Sequence, residues 1–289
     1  MPSNTPLTDA INALTQYANE TTGQSDTTLS DAVGTLVAGY GGGGGDQATI
    51  DMLVTGIMDK DYTFTQSTIG RAFANLSGAQ YSLTLPNVTT FRVGNYTFEN
   101  SDIDTLNIPN FTGNIGSIFR GYKGKHLNAP KIAIIQTMDG CTNMTEVFFP
   151  VASVASNCFS GMSNIETAVV GTLRNNQWQH FLRCPKLTAV DLVKDEQQRF
   201  DNTFDNSPLL TVIVLRPSTV VTLHNTSAFN GTPFASGGSG GTLYVPNALK
   251  SSYQSANNWS TILGYANNSI QAIEGSIYET HYADGTVIE

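Results

Sequence analysis

A short pattern of apolar, any, apolar, often followed by proline, returns along most of the chain. It occurs as LTLP from Leu83, LNIP from Leu106, LNAP from Leu127, VFFP from Val147, AVVG from Ala168, VDLV from Val190, IVLR from Ile213 and LYVP from Leu243. The interval is roughly 20–23 residues until the last, which lengthens to about 30 around GTPFASGGSGG, read as a flexible insertion. A second landmark keeps the same step: Phe73, Phe98, Phe119, Met138, Phe159, Phe181, Phe204 and Phe229. Three residues after it come Leu76, Ser101, Tyr122, Cys141, Met162, Cys184, Ser207 and Thr232. Three residues before the strand motif runs an apolar column of Ile103, Met144, Ile165, Leu187 and Leu210, interrupted by Gly124.

A unit this short cannot bury its own apolar face, so neighbouring units must do it for one another. The three-residue alternation is a short strand with two side chains inward, and stacked copies pair into a parallel sheet. The aromatic landmark then fills the core from the opposite, convex wall. The expected fold is a solenoid over residues 47–246, preceded by a helical segment (1–40) and a glycine-rich linker (41–46), and closed by a C-terminal cap helix and tail (247–289).

With 289 residues, 40% of them hydrophobic, the chain can build a real core, while charged residues make up only 13%. A net charge of -9 argues against nucleic acid or an anionic membrane as partner, since phosphate rewards Lys and Arg. Arg120, Lys123, Lys125 and Lys131 read as a solvated loop rather than a basic patch. No run approaches 18 apolar residues, and MPSNTPLTDAINALTQY has no basic start followed by an apolar stretch, so membrane insertion and export are not expected. Cys141, Cys158 and Cys184 are odd in number and widely spaced, which fits buried thiols better than disulfides or zinc ligands.

The units resemble the BspA type of leucine-rich repeat, in which L-x-x-[IVL]-x-[IVL]-P is followed by a turn and an A-F-x-x-C element. SAFNGT, NCFSGM, RAFANL and LTLPNVTTFRVGNYTFENS carry the likeness, over roughly residues 50–246. It implies an α+β repeat, a leucine-rich-repeat solenoid of short parallel strands with an N-terminal helical segment and a C-terminal capping helix. AVVGTLRNNQWQHFLRC and VDLVKDEQQRFDNTF depart from the pattern by losing the proline and carrying polar runs, and those turns are expected to bulge.

At the N-terminus Thr5 can cap, Pro6 suits a first helical turn, and Leu7, Ile11, Leu14 and Tyr17 follow helical spacing. Leu29, Val33, Leu36 and Tyr40 form a second stripe before Gly41–Gly45. Helices this short need a partner surface, which is either each other, other copies of the chain, or a larger assembly. After the repeats, VPNALKSSYQSANNWSTIL reads as a cap with Leu249, Tyr253 and Trp259 turned to the last repeat, and IQAIEGSIYETHYADGTVIE as a hairpin or tail.

This arrangement of ends and repeats resembles tail or baseplate-associated structural proteins of bacteriophages and prophages of Firmicutes. The resemblance implies a non-enzymatic virion protein, assembled in the host cytoplasm and homo-oligomeric, with a trimer as one arrangement. It also implies a tail-fibre or receptor-binding role, with other virion proteins and a host surface protein or glycan as partners. The alternatives are a purely structural virion component, such as a head fibre, decoration or baseplate protein, and a bacterial cell-surface adhesin.

Catalytic patterns are missing from the sequence. His126, His180, His224 and His281 belong to no H-E-x-x-H, G-x-S-x-G or P-loop motif, and Gly41–Gly45 lacks the Lys and hydroxyl of a phosphate cradle. The acidic pairs Asp102 with Asp104 and Asp191 with Asp195 and Glu196 are local in sequence and read as exposed turns. No catalytic residue, metal or cofactor is assigned.

Binding is expected on the outer side of the sheet, where the residue between the two inward ones is Thr84, Asn107, Asn128, Phe148, Val169, Asp191, Val214 and Tyr244. The later members make an outward apolar stripe broken by Asp191, and such a stripe marks either a receptor contact or a surface covered by a neighbouring subunit or the C-terminal segment. The Asn and Thr half, with Tyr81, Tyr96 and Tyr122 nearby, would suit a sugar. In NMTEVFFPVASVASNCFSG, Val147 and Phe149 are read as inward, Pro150 as the end of the strand, and Cys158 as a buried residue in the place of Ala72 and Ala228.

Overall fold

The computed structural model describes residues 62–63, 68–69, 82–91, 97–138, 140–173, 179–194 and 199–273. The expected helices with Leu7, Ile11, Leu14, Leu29, Val33 and Leu36, the linker, Ala72, Phe73, Leu76, Tyr81 and Tyr96, and residues 274–289 lie outside these. The chain forms two units, Met1–Met144 and Thr145–Glu289.

In the first unit the main strands are β1 (Tyr62–Thr63), β3 (Ser82–Thr84), β5 (Thr105–Asn107) and β7 (His126–Asn128), paired in that order and parallel. Between them lie the two-residue strands β2 (Thr68–Ile69), β4 (Thr90–Phe91), β6 (Asn114–Ile115) and β8 (Ile134–Ile135). These pair β2 with β4 and β6 with β8 in a second, minor ladder that the sequence pattern does not announce.

The second unit repeats the plan with β9 (Glu146–Val154), β10 (Thr167–Leu173), β11 (Ala189–Leu192), β13 (Val212–Leu215), β15 (Thr242–Val245) and β16 (Ser269–Ala272), all parallel. The minor ladder here joins β12 (Arg199–Phe200) to β14 (Thr222–Leu223). Strands of three or four residues are stable only because each finds a partner on either side and an apolar wall behind.

That wall is the landmark column. Phe98 and Phe119 stack with ring centroids 5.4 Å apart and planes at 4°. In the second unit Phe159, Phe181, Phe204 and Phe229 stack in sequence at 5.1, 5.9 and 5.5 Å. All six rings are fully buried. Their backbones form a further ladder, with Phe159 N donating to His180 O, Phe181 N to Thr203 O and Phe204 N to Ala228 O.

Two residues beyond each landmark the chain turns in the left-handed region, at Asn100, Gly121, Gly140, Gly161, Arg183, Asn206 and Gly231, with φ from 53° to 75°. Glycine and asparagine tolerate that conformation; Arg183 does so at a cost of order 1 kcal/mol.

The column three residues past each landmark is buried and mostly polar, and its side chains close hydrogen bonds between rungs. Cys141 Sγ donates to Phe119 O at 2.9 Å, Cys184 Sγ to Phe159 O at 3.1 Å and Ser207 Oγ to Phe181 O at 2.9 Å. Tyr122 occupies this column with a larger side chain, and its hydroxyl donates to Ile103 O at 2.6 Å. Gly124 makes that possible: a Cβ there would lie 2.0 Å from Ile103 O and 2.1 Å from the Tyr122 hydroxyl. The gap in the apolar column at Gly124 is thus filled by the tyrosine. Tyr122 is therefore a core residue and does not flank the outer face as expected.

Three other expectations change. Pro150 does not end its strand, since β9 runs on to Val154. Val170 pairs with Phe149 but Thr172 pairs with Ser153, so the proline, which has no N–H to give, sits in a bulge. Gly171 faces that bulge, and a Cβ on it would meet Ala152 O at 2.6 Å.

GTPFASGGSGG is a built turn: Phe234 is fully buried, 5.3 Å from Phe229, and Gly240 N donates to Pro233 O. Finally, the cap is two short helices, α1 (Lys250–Ser255) and α2 (Trp259–Leu263), and IQAI is not a tail but part of a further parallel rung, β16. Trp259 Nε1 donates to Val221 O at 2.7 Å while the Tyr253 hydroxyl accepts from Val221 N at 3.0 Å. Both backbone groups of one residue are taken by the two cap aromatics, which also pack against each other at 5.5 Å.

Candidate functional site

The register brings the expected face columns together. In the first unit Thr84, Asn107 and Asn128 stand opposite one another, beside Ser82, Thr105 and His126. All six are half-buried, and Asn107 Nδ2 donates to Thr84 Oγ1 at 3.4 Å. The outer face here carries neutral hydrogen-bonding groups and a single imidazole.

In the second unit Phe148, Val169, Asp191, Val214 and Tyr244 form one continuous column of register partners. Phe148, Val169 and Tyr244 are half-buried. Asp191 and Val214 are not the surface residues expected, for Asp191 is 4% exposed and Val214 0%. The physical reason begins with Arg216, which the sequence reading did not single out. It follows Val214 on the same side of the strand, and its guanidinium holds the Asp191 carboxylate through contacts of 3.0 to 3.1 Å. The apolar surface of this column accordingly lies at Phe148, Val169 and Tyr244, with a salt bridge set into it rather than a solvated acid.

Burial pushes the Asp191 carboxyl up to about 6, against the opposing pull of Arg216. His180 departs in the other direction. It is fully buried, neither ring nitrogen makes a hydrogen bond of normal geometry among the described residues, and burial lowers it to about 4, with the nearby Val154 carbonyl only partly opposing the shift. It stands one residue before its landmark, where neighbouring rungs place Cys158, Thr203 and Ala228, so Cys158 is a packing residue as expected. Burial likewise raises the Cys184 thiol to about 12, the state of an inert sulfhydryl rather than a nucleophile.

His180 gives a testable pH dependence. A histidine held below its ordinary pKa contributes stability that is present above about 6.5 and lost as pH falls through the folded value near 4. Replacing it with the threonine of the next rung, His180→Thr, is expected to remove that acid loss. Urea titrations at pH 7 and pH 4.5 then differ less in the variant than in the parent; an unchanged difference would rule the assignment out.

Elsewhere the charged groups pair locally. Lys125 meets Asp104 at 3.2 Å, Arg120 meets Glu99 at 4.0 Å, and Asp201 lies 2.9 Å from Arg199 and 3.8 Å from His224. Among the described residues no three His, Cys, Asp or Glu side chains are grouped as metal ligands. Among the same residues no helix is long and apolar enough to cross a membrane.

Short parallel strands at constant register, backed by a stacked aromatic wall, define a leucine-rich-repeat solenoid, a fold typically used as a non-catalytic interaction scaffold. The family model described as BspA type Leucine rich repeat region matches six copies over residues 62–134 and 118–235, and the chain belongs to that family. No curated protein and no solved structure matches the chain.

Proposed function

We propose that the protein is a non-enzymatic adhesion component of a bacteriophage particle, a tail fibre or receptor-binding protein whose strand face holds a host-surface protein or glycan. The observation that carries the binding role is the outer column of the second unit, where Phe148 and Val169 stand opposite one another on adjacent strands and Tyr244 continues the same column beyond Asp191 and Val214. Sheet-borne apolar side chains with polar neighbours are what a protein partner needs for buried anchor contacts. The neutral Thr84, Asn107 and Asn128 column is suited to hydrogen-bonding partners such as glycan hydroxyls. Residues Leu7, Ile11, Leu14, Leu29, Val33 and Leu36 supply the attachment to other virion proteins or to further copies of the chain. The phage assignment rests on the likeness of the chain ends to phage structural proteins.

Fluorescently labelled full-length protein incubated with candidate Firmicute cells is expected to adsorb saturably, and antibody to the protein to decorate the tail of the corresponding particles. Decoration without adsorption would favour a structural virion component, and adsorption without any particle association would favour a bacterial adhesin.

A further inference from the structure

β9 differs from the other strands of its sheet in running on past its proline. Val170 pairs with Phe149 and Thr172 with Ser153, so Pro150, Val151 and Ala152 stand against Gly171 alone. The inward residues Val147, Phe149, Ala152 and Val154 are 2% exposed or less, which leaves Glu146, Phe148, Pro150, Val151 and Ser153 turned away from the core. Val151 is 41% exposed, and among the described residues only Leu209 is another large apolar side chain so open to solvent. Gly171 admits the bulged backbone: a Cβ there would lie 2.8 Å from the Val151 carbonyl carbon and 2.6 Å from Ala152 O. Bulges re-aim side chains, and this one turns a valine outward where a strand ending at the proline would have placed none.

On the next strand Val169 stands opposite Phe148 and Thr167 opposite Glu146. Phe148, Pro150, Val151 and Val169 thus make an apolar ledge on two adjacent strands. The charge around it has one sign. Glu146 precedes Phe148 by two residues on the same side of β9, and exposed Glu166 immediately precedes Thr167. β9, β10 and β11 hold no Lys, Arg or His, and their one other acid, Asp191, is matched by Arg216.

We propose that this ledge is a docking surface for a polypeptide segment in which an arginine adjoins a large apolar residue. The inference rests on the reading of the strand face as the interaction surface and adds the chemistry of the partner. The partner's apolar side chain anchors against Phe148, Val151 and Val169, where truncation of a few residues costs most of the binding. Its arginine lies along the Phe148 ring and carries its guanidinium to Glu146 and Glu166. A guanidinium combines stacking on an aromatic face with carboxylate pairing, which a compact ammonium does less well. A neutral glycan brings no cation for the two acids and no aliphatic chain for the two valines. Charge complementarity therefore favours a basic, apolar segment on this part of the face.

The test presents the hexapeptides GRLRFG, GELEFG and GSLSFG at equal density on beads to the full-length chain. Saturable retention on GRLRFG is expected, at least about fivefold above the acidic and neutral peptides and falling as NaCl rises from about 50 to about 500 mM. Val151→Ser and Glu146→Gln are each expected to lose at least about fivefold of that retention while melting like the parent. No preference for GRLRFG, or undiminished retention in variants that melt like the parent, would overturn the proposal; cell adsorption that Phe148→Glu abolishes would then leave the adhesion reading standing. Preference for GRLRFG in a chain that adsorbs to no cell would support the docking surface and remove the adhesion reading. Retention on neutral glycan beads that Phe148→Glu abolishes would overturn the polypeptide assignment.

Discussion

Phe181→Ala is expected to lower the unfolding free energy by about 3–5 kcal/mol, the usual range for a buried phenylalanine truncated to alanine. The size follows from the position of the ring. Phe181 lies between Phe159 and Phe204, at 5.1 and 5.9 Å, with planes inclined at only 19° and 14°. It is fully buried, and its amide and carbonyl both join the following rung through Phe181 N to Thr203 O and Ser207 Oγ to Phe181 O. Removing the ring leaves two neighbours facing a void that the fixed rung spacing does not let them close. In a solenoid each rung is stabilised chiefly by its neighbours, so the loss is felt across an interface and not within one unit. Urea denaturation measures it; a loss below about 1 kcal/mol would mean that the wall is not the continuous core described here.

Asp191→Ala carries a comparable expected loss, about 3–5 kcal/mol, for a different reason: it strands the Arg216 guanidinium, whose side chain is only 13% exposed. The double variant Asp191→Val with Arg216→Leu removes both charges and restores the apolar alternation of the column. It is expected to be at least as stable as the parent, because a buried pair yields little over well-packed apolar groups once desolvation is counted. The raised Asp191 value is consistent with this. A carboxyl that burial holds near 6 adds stability below the ordinary carboxylate range and loses it as pH rises through 6, so the ionised pair is under strain at neutral pH. Denaturation of Asp191→Ala and of the double variant at pH 7 separates the cases; a double variant as unstable as Asp191→Ala would refute it.

The columns of the core were legible because a repeat fixes both spacing and side. Phe98, Phe119, Phe159, Phe181, Phe204 and Phe229 share a phase, and every one is buried. The register of the face was legible for the same reason: aligning the strand motifs already places Val169 opposite Phe148 and Asp191 opposite Val214. What was missed depends on interactions that do not repeat. Arg216 lies just past a strand motif, and nothing in a single unit says that its long side chain turns back to the previous rung. Gly124 reads as an interruption until the tyrosine two residues earlier is seen to need its space. The left-handed turn did have a signal, since Asn or Gly follows six of its seven landmarks by two residues; Arg183 is the exception. The minor ladders have two residues per strand, too few for any alternation to register. β16 was hidden because SIQA lacks the proline and has only one large apolar residue, Ile270, in inward register.

The central claim is that the outer strand face is the interaction surface of the molecule. Under the proposed adhesion role, adsorption of labelled full-length protein to candidate bacterial cells, compared among the parent, Phe148→Glu, Val169→Glu and the off-face control Leu209→Glu, tests it most directly, Leu209 being 52% exposed. Both face variants are predicted to lose at least tenfold in adsorption while melting like the parent, with the control unchanged. Equal adsorption by all four proteins would contradict the claim.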